Sequence, residues 1–498
     1  MLSAALMEKR LLLLLLTLLS LHGFTDAAPT VVLVGATGNL AGKYLWQALF
    51  DLHREGLVGQ VYGGATKAPD QGTELINGIM DDKLKCSKIP GTQHPLPGCE
   101  AAEAAFRAQV SYVQLRGEDH YRALGEKLVG RVTEGLLVYL SVSPDYYSDI
   151  AGYISTHLRP AAGNGWLRVV MEKPFGRDTA SASALAASVD SHLRPEEVCK
   201  VDHYLGKDAV NAIVGFRNAN RDRYEPLLNA QFVDKIEIVM QETETVEGRT
   251  EFFERYGIVR DVLQNHLSVV LAHATADLLP QKKGMDGADL VNRTTVLVDI
   301  PAPKAGVLGQ YDGYAQHVKD DGGTVANAPT AAVVGLSIES SRWAGVPITM
   351  RVGKALDVRE AYLRIVFKSD AFPKTSSGWE KPMLHFQIQG GMGTAIVASS
   401  ALPLPQWPAG WAPTGTGDGR TATLVGTSPP AYHVLMRAAV EGKMGSFVST
   451  DELMQLWRVW TPLCTSTDAC DNPTCKPISY SVGSSRERWV GQSDTREL

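Results

Sequence analysis

At 498 residues the chain is longer than one hydrophobic core sustains, so two domains are expected. Its 44% apolar and 20% charged composition is that of an ordinary globular protein and excludes a disordered or low-complexity chain. A formal charge of −6 leaves no basic surplus, which argues against nucleic acid as a partner.

Met7-Glu8-Lys9-Arg10 precedes an almost unbroken apolar run from Leu11 to Leu21, and small residues follow to Ala28. Charged start, short apolar run and small-residue cleavage site predict a secretory signal over residues 1–27. The run is shorter than the ~18 residues that make a membrane span, so none is expected after cleavage. An uncleaved anchor is the alternative. Six cysteines accord with an oxidising compartment. Cys86 and Cys99 bracket a Pro/Gly-rich stretch that a bridge would restrain, Cys464, Cys470 and Cys475 cluster so that a Cys470–Cys475 pair would be local, Cys199 reads as a buried thiol, and the connectivity stays open. Asn292-Arg293-Thr294 is a glycosylation sequon, and the terminal Glu497-Leu498 matches the end of a retrieval signal. The expected location is the endoplasmic-reticulum lumen, with secretion as the alternative.

Pro29 to Val34 is a continuous apolar run, the pattern of a strand covered on both faces. It leads into Gly35-Ala36-Thr37-Gly38-Asn39-Leu40-Ala41 and then a helical stretch. Strand, glycine turn and helix open a dinucleotide-binding fold, in which the glycines admit a pyrophosphate against the helix N-terminus. Turns of this kind that bind nothing are equally frequent. The second strand, Gln60 to Gly64, runs on into Ala65-Thr66-Lys67. That end has neither the acid that favours NAD nor the arginine that favours NADP. Lys67 is in reach of a 2′-phosphate or is a plain surface lysine, so the choice between NAD and NADP stays open. Further strands over Gly135–Ser143 and Trp166–Gly176, with an alanine-rich helix after them, predict a Rossmann-like α/β domain over 28–201.

From residue 202 the pattern changes. Val233–Thr243, Ile348–Leu356 and Tyr362–Lys368 alternate with period two, and a long helix is expected over Ile258–Leu279. A larger α+β domain with an antiparallel sheet is predicted over 202–498, with Pro403–Gly419 as a loop.

Two segments are dense in chemistry. Asp202-His203-Tyr204-Leu205-Gly206-Lys207 packs an acid, an imidazole, a phenol and an ammonium into six residues. Asp202 as a helix cap accounts for the acid. His203 and Lys207, four apart on one helix face, suit a phosphate dianion instead. In the expected helix, Asp261, Asn265 and His266 cannot all enter an apolar core unpaired, so the helix has a wet face or lines a cleft.

These segments, with Glu172-Lys173-Pro174-Phe175-Gly176, resemble the glucose-6-phosphate dehydrogenase family in wording, order and spacing. The GATGNLA turn, Arg342–Leu356 and VSTDELMQLWRVWTPL match as well, so the resemblance runs from about residue 31 to 463. The signal sequence and the EGRTEFFERYG wording are similar to the endoplasmic-reticulum branch, hexose-6-phosphate dehydrogenase. That branch usually carries a 6-phosphogluconolactonase domain, and the chain is expected to be the dehydrogenase part alone.

The resemblance implies oxidation of glucose 6-phosphate, or another hexose 6-phosphate, at C1 with hydride transfer to NAD or NADP, and a homodimer. It makes His266 the general base and Asp202 the group that orients it. His203, Tyr204 and Lys207 would hold the 6-phosphate, with Lys354 and Arg359 also reaching substrate. Glu242 and Asp261 would accept sugar hydroxyls. Lys173 would sit between sugar and coenzyme beside a cis Pro174, and Tyr147 belongs to the coenzyme set. No metal is implied. Asn39 replaces the family's usual acid, Gly42 a lysine, and Gln241 a common lysine. A Rossmann oxidoreductase of an unphosphorylated sugar and a catalytically inactive nucleotide-binding relative are the competing readings.

Overall fold

The computed structural model describes residues 28–86, 97–132, 134–161, 163, 165–282, 285, 287–303, 306–372, 381–391, 393–414, 419–468 and 477–485. The expected signal, the Cys470–Cys475 pair and Glu497-Leu498 lie outside the described residues.

Two compact units are present. The first holds the described residues of Met1–Glu172 together with Val189–Cys199 and Met436–Gly442. The second holds Lys173–Ser188, Lys200–Leu435 and the described residues of Lys443–Leu498. Local bonding explains why the chain divides at Lys173 as well as near residue 200. In the second unit, Trp457 Nε1 donates to the Phe175 carbonyl at 2.9 Å, and the Thr179 amide donates to Thr461 Oγ1 at 2.9 Å. In the first, Arg168 donates to the carbonyls of Ala439 and Val440 at 2.9 and 2.8 Å.

The first unit is built on six strands: β1 (Thr30–Val34), β2 (Val61–Ala65), β3 (Val110–Gln114), β4 (Gly135–Leu140), β5 (Trp166–Met171) and β6 (Val198–Lys200). Their order is β3-β2-β1-β4-β5-β6 with parallel pairing, the doubly wound arrangement expected from the alternation of strands and helices. All five residues of β1 and all six of β4 are buried, as unbroken apolar runs in a twice-covered sheet should be. Cys199 is buried in β6. Cys86 and Cys99 form the disulfide, closing a sequence separation of 13.

The second unit carries a ten-stranded mixed sheet. Its strands are β7 (Val233–Gln241), β8 (Gly306–Tyr311), β9 (Ala331–Leu336), β10 (Ile348–Gly353), β11 (Glu360–Phe367), β12 (Met383–Gln389), β13 (Ala395–Ala398), β14 (Trp411–Pro413), β15 (Thr421–Leu424) and β16 (Ile478–Tyr480). The order is β14-β15-β13-β12-β11-β7-β10-β9-β8-β16. Most pairs are antiparallel, but β7 with β10 and β8 with β16 are parallel. Period two fixes which face a residue takes and leaves strand direction open, so the sequence showed the strands without these two pairings.

Two sequence expectations are corrected here. The long helix ends at Thr275 instead of running to Leu279. Arg217, 1% exposed, takes the carbonyls of His273 and Ala276, each at 2.7 Å, while Glu225 neutralises it. Trp343 Nε1 takes the Thr275 carbonyl at 2.9 Å. Satisfying these terminal carbonyls from outside stops the helix there. The described part of Pro403–Gly419 is largely irregular, as a loop should be, and the correction is confined to Trp411–Pro413. Asn220 exchanges two 2.7 Å hydrogen bonds with the backbone of Gln406, and Tyr224 donates to the Pro403 carbonyl at 2.6 Å. Trp411–Pro413 then forms the edge strand β14, a position that tolerates the missing amide of Pro413.

Candidate active site

The turn after β1 is shaped for close approach of a ligand to backbone. Gly35 has φ +84°, and a Cβ there would lie 2.1 Å from the Ser141 carbonyl oxygen. No other residue fits. The amides of Gly35 and Ala36 both donate to the Gly64 carbonyl, at 2.8 and 3.0 Å, and Gly38 donates to Gly35 at 2.9 Å. Trp46 Nε1, buried beneath, donates to the Ala36 carbonyl at 2.9 Å. Thr37 and Leu40 are half-buried and Asn39 is exposed at the start of the following helix. This cradle fits a dinucleotide pyrophosphate. At Gly42 an added Cβ would meet only Ile79, at 3.6 Å or more, so packing does not demand the glycine. Lys67 is exposed just beyond β2. Tyr147 is fully buried, its hydroxyl donating to the Glu172 carbonyl at 2.8 Å and accepting from the Glu172 amide at 3.0 Å. Its phenol therefore pins the backbone immediately before Lys173. Tyr139 holds the Glu172 carboxylate from the side.

In the second unit the two chemistry-dense segments meet. Asp202 caps a 3₁₀ turn, His203–Gly206, by accepting the Tyr204 amide on Oδ1 at 2.9 Å. The capping contact does not exclude a second one, because the same oxygen accepts from His266 Nδ1 at 2.5 Å. His203 and Lys207 share no helix face, since Lys207 is already extended. A short polar turn, not an α-helix, presents them.

His266 lies on a π-helical stretch, Val259–Leu267, and is 2% exposed. Tyr204 stacks on its ring at 4.5 Å between centroids, and His203 meets it edge-on at 4.2 Å. Lys173 Nζ stands 3.1 Å from His266 Nε2 and also donates to the Asp261 carbonyl at 2.8 Å and to Asp261 Oδ1 at 3.3 Å. An ammonium has only donors, so Nε2 must be the acceptor and Nδ1 carries the proton toward Asp202. That tautomer leaves a basic lone pair on Nε2. Burial, reinforced by Lys173, pushes the His266 pKa well below its usual value, so the ring is neutral at physiological pH.

The Lys173–Pro174 bond is cis. Asp261 is held down to about 2: burial opposes its ionisation, but Lys173 and Lys354 together outweigh it. Lys354 Nζ donates to Glu242 at 2.5 Å and lies 4.0 Å from Asp261 Oδ2. Burial lowers Lys207 to about 8. Its Nζ lies 3.9 Å above the Tyr204 ring and 3.4 Å from Gln389 Oε1. Burial, then the neighbouring His266, depresses His203 well below its ordinary value, so it offers a neutral donor and Lys207 the charge. Arg359 is pointed elsewhere in its direct bonding, pairing with Glu244 at 3.0 Å.

Metal-type ligand atoms of Asp202, His203 and His266 fall within 4.8 Å of one another. The ammonium groups around His266 make that spot unfavourable for a cation. Two participants had no signal in the sequence. Gln389 ends β12 without a motif, and Tyr480 of β16 donates to the Lys354 carbonyl at 2.8 Å while sharing a 2.8 Å bond with Thr330 Oγ1. Only the folded sheet brings them to Lys207 and Lys354.

Residues 32–212 match the family described as "Glucose-6-phosphate dehydrogenase, NAD binding domain", and residues 214–490 "Glucose-6-phosphate dehydrogenase, C-terminal domain". The "GDH/6PGL endoplasmic bifunctional protein" of Oryctolagus cuniculus is 35% identical over 474 residues, covering 88% of this chain and 59% of the relative. The chain thus spans less than two thirds of that relative's length. The cytoplasmic isoform of glucose-6-phosphate 1-dehydrogenase from Solanum tuberosum is 31% identical over 477 residues, covering 91% of this chain and 89% of that one. A solved glucose-6-phosphate dehydrogenase in complex with glucose 6-phosphate superposes with a TM-score of 0.75 at 27% identity, covering 92% and 95% of the two chains. The paired Asp202 and His266, the Gly35 cradle and both domain matches lead to one assignment: the chain belongs to the glucose-6-phosphate dehydrogenase family.

Proposed function

We propose that the chain oxidises glucose 6-phosphate, or a closely related hexose 6-phosphate, at C1 to the 6-phosphogluconolactone. NAD or NADP, when bound, supplies the hydride acceptor. The observation that carries this reading is the buried Asp202–His266 pair at 2.5 Å with Nε2 left as a base.

Oxidation breaks the O–H and C–H bonds at C1 and forms a C=O bond. The hydroxyl proton passes to His266 Nε2, and the C1 hydrogen leaves with its electron pair. Asp202 stabilises the imidazolium that forms and keeps the proton-bearing Nδ1 turned inward. Lys173, anchored by Asp261, keeps the base neutral until the hydroxyl is in place. Lys207 supplies charge for the 6-phosphate, with His203 and Tyr204 as neutral donors. Burial raises the Tyr204 pKa, which keeps its hydroxyl protonated for that purpose. Asp261 and Glu242 accept sugar hydroxyls, Lys354 reaches the substrate beside them, and Arg359 would have to leave Glu244 to join the set. Gly35, Thr37, Gly38, Asn39, Leu40 and Lys67 hold the dinucleotide, and Pro174 shapes the backbone beside Lys173.

Initial rates of nicotinamide reduction with glucose 6-phosphate and with glucose test the phosphate requirement. The reading expects turnover that depends on the phosphate. Equal turnover of free glucose would favour the sugar-dehydrogenase alternative, and coenzyme binding without any turnover the inactive relative.

The proposal extends to a homodimer in the endoplasmic-reticulum lumen, made with a cleaved signal and glycosylated at Asn292. The Cys86–Cys99 disulfide and the similarity to endoplasmic relatives support the compartment. Asn292 is exposed, its side chain accepting from the Thr294 amide at 3.2 Å. A mobility shift on glycosidase treatment, absent in Asn292→Gln, tests the modification.

A further inference from the structure

His266 stands on a backbone geometry that needs support. π-Helices close i→i+5 bonds and are rare beyond a single turn. Val259–Leu267 keeps that geometry for nine residues. In an α-helix, at about 100° per residue, Asp261 and His266 would point about 140° apart. Closing bonds at five brings them onto nearly one face, as bonds at four do for residues four apart in an α-helix. Both therefore reach one ammonium. Lys173 Nζ lies 3.1 Å from His266 Nε2, 2.8 Å from the Asp261 carbonyl and 3.3 Å from Asp261 Oδ1.

Side chains hold the wide turn. Asn265 Nδ2 donates to the Arg260 carbonyl at 3.0 Å, and Ser268 Oγ donates to the Leu263 carbonyl at 2.6 Å. Each reaches five residues back, to the carbonyl that a π-helical ladder turns toward it. In the α-helix that follows, Ser268–Thr275, Thr275 Oγ1 reaches only four back, to the Leu271 carbonyl at 2.7 Å. Asn265 has a second task. The carbonyl facing the His266 amide in an i→i+5 ladder is that of Asp261, on which Lys173 already draws. Asn265 Oδ1 accepts the His266 N–H at 2.7 Å and keeps that amide partnered. Ser268 is braced by the helix Thr450–Asp468, whose buried Trp460 donates Nε1 to its Oγ at 2.8 Å. An indole nitrogen only donates, so the Ser268 proton is left for Leu263.

We propose that Asn265 and the Trp460-braced Ser268 are positioning residues of the reaction, holding Val259–Leu267 in the wide register that sets His266 beside Lys173 and Asp202. This rests on the reading of His266 as the base. Neither residue is a proton carrier; both act through the backbone that bears the imidazole.

The test is steady-state kinetics of the full chain with glucose 6-phosphate and the nicotinamide coenzyme that the wild type reduces. Asn265→Ala should lower kcat about ten- to hundredfold, the cost of a base displaced by about 1 Å. KM for either substrate should change by about twofold or less, because His203–Gly206 and Lys207 lie on another segment. Ser268→Ala should lower kcat about three- to tenfold, and Ser268→Thr, which restores the hydroxyl, should recover most of it. The acid limb of the kcat/KM profile should also move to higher pH in Asn265→Ala. Around His266, Lys173, Lys207, Lys354, Asp202 and His203 stand on other elements and stay in place, while Asp261 moves with the turn. The largest charge effect the ring loses is that of Lys173, which favours its neutral form. A smaller fraction of folded enzyme would leave that limb where it is. Wild-type kcat with an unmoved limb in both alanine variants, or a fall in kcat matched by a rise in both KM values, overturns the proposal and leaves His266 as the base. Should Asn265→Ala not fold, Ser268→Ala and Ser268→Thr decide the same question. A wild type without turnover, or His266→Asn as active as wild type, removes the base and this proposal with it.

Discussion

Replacing Asp202 with asparagine should separate the two jobs of that carboxylate. Its Oδ1 accepts from both the Tyr204 amide and His266 Nδ1, while Oδ2 is buried and has no partner among the described residues. An asparagine that flips to donate to Nδ1 would point its NH₂ at the Tyr204 N–H, two donors face to face. The unflipped amide keeps its oxygen in place and preserves the His266 tautomer. What disappears is the negative charge beside the imidazolium. At an effective dielectric of ~20 and a separation of ~4 Å that attraction is worth about 4 kcal/mol, an upper figure. Part of it survives as a neutral hydrogen bond, so kcat should fall about 10²- to 10³-fold. The NH₂ then occupies the partnerless Oδ2 position, which costs about 1–3 kcal/mol of stability. Initial rates at saturating coenzyme give kcat, and thermal unfolding gives the second effect. A fall in kcat of less than about fivefold would refute the reasoning, since Asp202 would then be only a helix cap.

Other consequences can be checked independently. Because burial and Lys173 depress His266, an imidazole signal that vanishes in His266→Asn should stay in its neutral form from pH 8 down to 6.5, the unperturbed histidine value, in an NMR titration. Titration at or above 6.5 contradicts that. Lys207 titrates at about 8, so KM for glucose 6-phosphate should rise as pH climbs past that value, and the rise should be absent in Lys207→Arg, whose charge persists. Tyr480→Phe removes the bond to the Lys354 carbonyl and leaves the ring, so KM for glucose 6-phosphate should increase several-fold with KM for coenzyme unchanged. Equal changes in both would point to general loosening. Gly35→Ala forces a Cβ to 2.1 Å from the Ser141 oxygen at positive φ, and coenzyme affinity measured by fluorescence should drop at least about tenfold.

The sequence announced what depends on short-range pattern. TVVLV as a doubly covered strand, the glycine turn after it and the period-two strands beyond residue 233 all follow from side-chain alternation and local backbone demands. The proposed Asp202–His266 pair was legible through family wording, and its acid and imidazole are 64 residues apart, a separation no spacing rule bridges. What stayed hidden depends on long-range register. The geometry of His203 and Lys207 was misjudged because Asp202 turns the chain into a 3₁₀ turn before an α-helix can form. Tyr480, which sits in no motif, reaches Lys354 across 126 residues. The helix over Ile258–Leu279 was overextended because nothing near it in sequence reveals that Arg217 will take its last carbonyls.

The central claim is that His266 removes the C1 hydroxyl proton of a hexose 6-phosphate. Its most direct test is the initial rate of nicotinamide reduction with glucose 6-phosphate, in wild type and His266→Asn, with substrate affinity measured alongside. The account predicts turnover in wild type and a loss of about 10²–10⁴ in kcat with binding retained. Turnover that survives in His266→Asn within about threefold would contradict it, and the proton would have to leave by another route.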